Sequence, residues 1–178
     1  MGQRKVDAAR QTLGALNPEV EVRVLPKRLA EKDLNELIGD CDIVLDCSDN
    51  FATRHAVNRA CVRHAKPLVS GAAIRFDGQL AVFDLRDRES PCYACVFPEE
   101  GESEEMRCAV MGVLAPLTGV IGAMQAMEAI KLIAQAGGPA SGRLLVFDAL
   151  KTEWRSIKIK KDPACRVCAK REDTFAAR

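Results

Sequence analysis

One tryptophan and one tyrosine serve a chain of 178 residues. So few rings leave little stacking platform for single-stranded nucleic acid. Charge of one sign is lacking as well, since the formal net charge is +1. Without a basic field, neither nucleic acid nor an anionic membrane is the expected partner. The residues up to Val20 carry charges and no apolar core, so no secretory signal is expected. Long hydrophobic runs are scarce. One uncharged stretch, Ala109 to Met127, just reaches membrane-spanning length, but Pro116, Thr118, Gln125 and several glycines interrupt it. Glu128 and Lys131 continue its helical pattern, which predicts a helix buried in protein. No internal repeat is present.

What is there suits a soluble globular domain with a short tail over 171–178: 48% of residues are hydrophobic and 29% charged. Val6, Ala9, Leu13 and Leu16 recur at helical spacing up to Asn17-Pro18. Val20–Leu25 (VEVRVL) alternates and predicts a strand. Leu34, Leu37 and Ile38 mark a short helix. Asp42–Ser48 (DIVLDCS) predicts a buried strand, apolar on both faces, and Asp49 or Asn50 is placed to cap a helix running to about Ala65. Lys66–Ala73 is a further apolar strand. Strands alternating with helices imply a parallel sheet. The rhythm then changes. Gly78–Leu85 follows after a short turn and should run antiparallel. Phe97 to Arg107 is acidic, either a mobile loop or a solvated segment. A long helix is expected from Leu117 to about Ala136, then strands Arg143–Ala149 and Trp154–Lys160, the latter with Ile157 and Ile159 facing in.

Cysteine is abundant, with eight residues and no export signal, which suggests a reducing, cytoplasmic compartment and metal binding over disulfides. Cys92/Cys95 and Cys165/Cys168 form two C-x-x-C pairs. Each such knuckle supplies half of a tetrahedral zinc site, and with no histidine close by the site should be closed and structural. A redox dithiol is the rival, although Pro98 disfavours the long helix that would activate one. Cys41, Cys47 and Cys61 lie among apolar residues and are expected in the core. Cys108, beside Arg107, is either an activated thiol or a half-buried cysteine at a helix entrance.

Asp49 sits just past the C-terminal end of a predicted parallel strand, where ligands of open α/β sheets bind. A carboxylate there can hold Mg²⁺ against a phosphate, or simply cap the helix. Asn50, Arg54 and Asn58 recur at i, i+4 and i+8, forming one polar face that lines a site or pairs across an interface. Lys5, near a helix start, is either solvated or a phosphate ligand.

The segments GQRK, NPEVEV, DIVLDCSDNFATRHAVN, PLVSGAAIRFDGQLAVF, PCYACVFP, CAVMGVLAPLTGVIGAMQAMEAIK, ASGRLLVFDA and CRVC, taken in order, span nearly all of residues 2–168. Together they resemble the MoeB/ThiF/HesA family of the ubiquitin-activating-enzyme superfamily. SGAAIRFDGQ and GVLAPLTGVIGAMQAMEAIK look closest to MoeB-type members; WRSIKI and the cysteine knuckles fit ThiF-type members almost as well.

The resemblance implies a Rossmann-like α/β fold whose parallel sheet continues into antiparallel strands beside a structural zinc site of four cysteines. It implies binding of ATP with Mg²⁺ and adenylylation of the C-terminal glycine of a ubiquitin-like sulfur-carrier protein ending in Gly-Gly. That carrier would serve molybdenum cofactor biosynthesis, or thiamin synthesis in the alternative. Lys5 would then contact ATP phosphates, Asp49 would hold Mg²⁺ or orient the α-phosphate, and Asn50 would lie beside the nucleotide. Cys92, Cys95, Cys165 and Cys168 would bind zinc. Cys108 would be the cysteine near the family's crossover loop, Phe97 to Arg107. A homodimer through the long helix and a sulfurtransferase or cysteine desulfurase partner are further implied.

The family's strand–G-x-G-G-x-G–helix opening does not occur in these 178 residues. Residues 1–170 are therefore expected to be the C-terminal two-thirds of such a domain, with 1–75 on the nucleotide side and 76–170 on the zinc side. An apolar sheet edge should be exposed. These residues alone are expected to be incomplete for catalysis, and a zinc-stabilised carrier-binding and dimerising domain without turnover is the competing expectation.

Overall fold

The computed structural model describes residues 2–99, 111–138 and 140–169. The chain forms two compact units, one up to Ala30 and one from Glu31 onward. In the first, helix α1 covers Lys5–Leu16, and the Asn17 N–H bonds to Leu13 as the helix ends before Pro18. Val20–Leu25 is not a strand in the structure. The alternation is real, but a strand exists only where its backbone pairs. Among the described residues this segment has no ladder partner, and Val20 and Leu25 remain about half exposed.

The second unit is built on one sheet. Its elements are α2 (Glu31–Gly39), β1 (Val44–Asp46), α3 (Phe51–Arg63), β2 (Leu68–Ile74), β3 (Asp77–Phe83), the single-turn α4 (Tyr93–Val96), α5 (Ala115–Ala134), β4 (Arg143–Asp148) and β5 (Glu153–Lys158). The strand order is β1-β2-β3-β4-β5. β1 and β2 are parallel, with Asp46 opposite Ser70. Every later neighbour is antiparallel, as the change of rhythm after Ala73 predicts.

Alternate side chains of each strand feed two cores. Leu68, Ala81 and Phe83 join Val57 and Cys61 of α3 and the knuckle cysteines on one face. Val69, Leu80 and Val82 meet Leu132 of α5 on the other. Full burial of side chains such as Phe83 and Leu80 contributes about 1.5–3 kcal/mol each, before the entropy of ordering the chain. α5 starts two residues earlier than its periodicity suggests, because Pro116 fits the first turn, where its missing N–H costs nothing.

Two sequence expectations need correction at the sheet's edges. β1 is flanked only by β2 among the described residues, so Leu45 is 42% exposed instead of buried on both faces. β5 is the other edge, and every residue in it is exposed; Ile157 does not face inward, whereas Ile159, just beyond the strand, does pack on the core. α5, the one helix among the described residues long and apolar enough to cross a membrane, buries only one face. Leu117, Ile121, Gln125, Glu128, Ala129 and Leu132 point to the protein, while Met127, Ile130 and Ile133 stay 52–66% exposed.

Candidate functional site

The C-terminal end of β1 carries the strand-end carboxylates. Asp46 is buried, and its Oδ1 accepts the Ser48 N–H at 2.9 Å. Asp49 follows with an exposed side chain. Asn50, not Asp49, caps α3: its Oδ1 accepts the Thr53 N–H at 2.8 Å, while its Nδ2 donates to Asp49 Oδ1 at 3.3 Å. Asp49 is thereby left free of the capping role, with its carboxylate at the N-terminus of a 13-residue helix.

The i, i+4, i+8 face of α3 is a working face and not a solvated one. Arg54 is buried, and its Nη1 donates to Ser70 Oγ at 3.0 Å. Its Nη2 donates to the carbonyls of Ser48 and of Gly71, the latter at 2.9 Å. Asp46 Oδ2 lies 3.6 Å from the guanidinium and supplies the countercharge. From the opposite face, Gln125 of α5 donates to the carbonyls of Asp46 (3.0 Å) and Val69 (3.1 Å) and accepts the Cys47 thiol at 3.4 Å. Cys47 is exposed as a residue, but its thiol is partly desolvated, which pushes it above its ordinary range despite that bond. Gln125 escapes a sequence reading because a lone amide in an apolar helix looks like an interruption. Its spacing from Ile121 and Glu128 is the available signal, since all three fall on the buried face.

Asn58 ends the same stripe. It is fully buried, accepts the Tyr93 N–H at 3.0 Å and points its amide at Cys92 Sγ, 3.7 Å away. There the two knuckles meet. The four sulfurs of Cys92, Cys95, Cys165 and Cys168 lie within 4.8 Å of one another. Cys92–Cys95, Cys92–Cys165 and Cys95–Cys168 are separated by 3.9, 3.7 and 3.4 Å. A tetrahedral ion with ~2.3 Å bonds needs sulfurs about 3.8 Å apart, so the donor set fits zinc in size and chemistry. Cys168 and then Cys92 hold the Cys95 thiol well below the ordinary range against the effect of burial, aided by the Asp162 and Cys92 N–H groups. α4 is one turn long, too short for the redox-dithiol alternative.

The other sequence candidates separate. Lys5 is the exposed first residue of α1, in the N-terminal unit. Cys108 and residues 100–107 of the expected crossover loop lie outside the described residues, as does the 171–178 tail. Cys61 is in the core, but Cys41 and Cys47 are exposed because they flank a short edge strand. A cleft of about 800 Å³ opens at the N-terminal ends of β1 and β2, lined by Asp40, His64, Lys66 and Arg86. It is at the wrong end of the strands for Asp49.

The chain is 45% identical over 168 residues to the molybdopterin-synthase adenylyltransferase of Escherichia coli (strain K12), covering 94% of this chain and 67% of that protein. It is 44% identical over 170 residues to the adenylyltransferase and sulfurtransferase MOCS3 of Drosophila virilis, covering 94% of this chain and 37% of that one. Among solved structures, Escherichia coli MccB with AMPCPP and MccA superposes with a TM-score of 0.76 at 21% identity, over 94% of this chain and 52% of that chain. MccB with ATP gives 0.75 at 20% identity, over 95% and 52%. The chain thus spans two-thirds of the first relative, little more than a third of the second and about half of each MccB chain, with which it shares the fold. A model of the ThiF family matches residues 1–167, and the chain belongs to the ThiF family.

Proposed function

We propose that this chain takes part in the ATP-dependent adenylylation of the C-terminal glycine of a ubiquitin-like sulfur carrier, the small subunit of molybdopterin synthase, supplying the Asp49 and cysteine-cluster portion of the enzyme. One observation carries this reading: Asp49 presents an exposed carboxylate on an anchored turn at the strand end where nucleotides bind in α/β sheets. The adenylyltransferase names of relatives at 44–45% identity support it, and favour the molybdenum pathway over the thiamin one.

The carrier's terminal carboxylate oxygen attacks the α-phosphorus of ATP. The bond to the bridging oxygen breaks, pyrophosphate leaves and an acyl-adenylate remains. Such chemistry needs positioning and charge neutralisation more than covalent help. In this reading Asp49 holds Mg²⁺ or orients the α-phosphate, Asn50 lies beside the nucleotide, and Lys5 contacts phosphate. Residues 1–75 supply the nucleotide side and 76–170 the zinc side. Cys108 is the candidate catalytic cysteine near the crossover loop, and a sulfurtransferase or cysteine desulfurase is a further partner. Zinc at the four cysteines is structural, and the compartment is the cytoplasm.

Two exposed apolar patches support the protein partners. Phe76 and Leu150 are 43% and 72% exposed on adjoining turns, tied where the Ala149 N–H donates to Phe76 O. They lie at the same end of the sheet as Asp49 and suit a docked carrier. The outer face of α5, with Met127, Ile130 and Ile133 beside unobstructed Gly119 and Gly122, suits a second copy of the chain. The test of the reading is ATP–pyrophosphate exchange with a ubiquitin-fold protein ending in Gly-Gly. Carrier binding without exchange would leave the non-catalytic alternative.

A further inference from the structure

Asp49 is exposed, and an exposed carboxylate on a free loop would be poorly placed for phosphate chemistry. Its neighbours remove that freedom. Ser48 is gripped at both backbone groups: its N–H by the Asp46 carboxylate at 2.9 Å and its carbonyl by the Arg54 guanidinium. Asn50, on the other side, is fixed by its bond to the Thr53 N–H. The Asp49 backbone therefore spans two anchors, and the inner one depends on Arg54.

Arg54 is 7% exposed, and its guanidinium donates inward to Ser70 Oγ and to the carbonyls of Ser48 and Gly71. It faces Asp46 at 3.6 Å, inside the fold. A planar fork is required, because one amine cannot bond three groups on two different strand ends while keeping the same distances. Where β1 and β2 diverge past Asp46 and Ser70, their carbonyls lose ladder partners, and the guanidinium supplies replacements for Ser48 and Gly71.

We infer that Arg54 is a positioning residue for the nucleotide site, holding the Ser48 carbonyl so that the Asp49 carboxylate stands where the α-phosphate and its Mg²⁺ arrive. This rests on the adenylyltransferase reading of Asp49. Arg54 acts through the turn and touches neither ATP nor carrier. Outer groups that orient a ligand or metal-binding carboxylate typically matter 10- to 100-fold in activity.

The test compares Arg54→Lys with Asp49→Asn in the full chain. The readouts are carrier-dependent ATP–pyrophosphate exchange, amide hydrogen exchange over residues 48–53, and bound zinc. Arg54→Lys should lower kcat by roughly 10- to 100-fold with the KM for ATP within about twofold. The 48–53 amides should exchange faster while zinc content stays at the wild-type level. Unchanged kcat, or unchanged protection of those amides, overturns the inference. Should Arg54→Lys fail to fold, Arg54→Ala with added methylguanidinium replaces it. Recovery of the amide protection is then expected, and absence of recovery in a folded variant overturns the inference. A wild-type rate in Asp49→Asn would instead sink the reading of Asp49, and the role of Arg54 with it. If the wild-type chain shows no exchange, that reading fails for this chain alone, and the amide protection decides whether Arg54 holds the turn.

Discussion

Gln125 lies directly across the backbone of Gly71. A Cβ added at residue 71 would stand 2.3 Å from both the Cδ and the Oε1 of Gln125. The glycine is there because a helix side chain crosses it to reach the carbonyls of Asp46 and Val69. Gly71→Ala should displace that amide, strand two buried carbonyls and cost about 2–4 kcal/mol. Urea titration measures the loss. Adding Gln125→Ala should relieve the clash but not the stranded carbonyls, so the double variant should be less destabilised than the sum of the two single ones.

Asn58 joins the zinc knuckle to α3 through Tyr93 N–H and Cys92 Sγ. Asn58→Asp retains the acceptor for Tyr93 but replaces the donor to sulfur with a negative charge. Metal affinity, followed by competition with a chromophoric chelator, should fall about 10- to 100-fold. Cys168→Ser removes a ligand outright. Elemental analysis should then find less than one zinc per chain, and the melting midpoint should fall by on the order of 10 °C. Wild-type protein that carries no zinc, with a melting midpoint unchanged by Cys168→Ser, would mean that the four sulfurs hold no structural ion.

Ile130 is 63% exposed on the outer face of α5. Ile130→Glu should convert a dimer to a monomer in sedimentation velocity at micromolar concentration, with little change in the monomer's own fold. A wild-type monomer would remove this face as an interface.

His55 is buried against Phe51 and Tyr93, with ring centroids 6.2 and 5.4 Å away. Burial lowers its pKa; Glu99, 3.7 Å from Nδ1, opposes this, and Arg59 adds to the lowering. The folded protein therefore takes up the His55 proton at lower pH than the unfolded chain does. This contribution to stability is complete above the unfolded pKa of about 6.5 and is lost as pH falls toward the folded value. Melting temperatures from pH 7.5 to 5 should decline, and the decline should be shallower in His55→Phe.

Much of the fold follows from pattern. Val6–Leu16, Leu34–Ile38, the β1–α3–β2 rhythm and the change to antiparallel pairing are visible as periodicity and turn chemistry. The four-cysteine cluster is visible as spacing. What periodicity does not carry is partnership. Val20–Leu25 alternates like a strand but finds no ladder among the described residues, and Ile157 alternates in an edge strand whose residues are all exposed. Nor does composition distinguish a buried polar stripe from a solvated one. Asn50, Arg54 and Asn58 announce one face, but only the packed structure shows that they tie the Asp49 turn, two strand ends and the metal knuckle to a single helix.

The central claim is that Asp49 serves carrier adenylylation. It is tested most directly by ATP–pyrophosphate exchange with a ubiquitin-fold carrier ending in Gly-Gly and with the same carrier lacking those two residues. The account predicts exchange that requires Mg²⁺ and the intact tail and that falls at least about 100-fold in Asp49→Asn. Exchange indifferent to the tail, or a wild-type rate in Asp49→Asn, would contradict it.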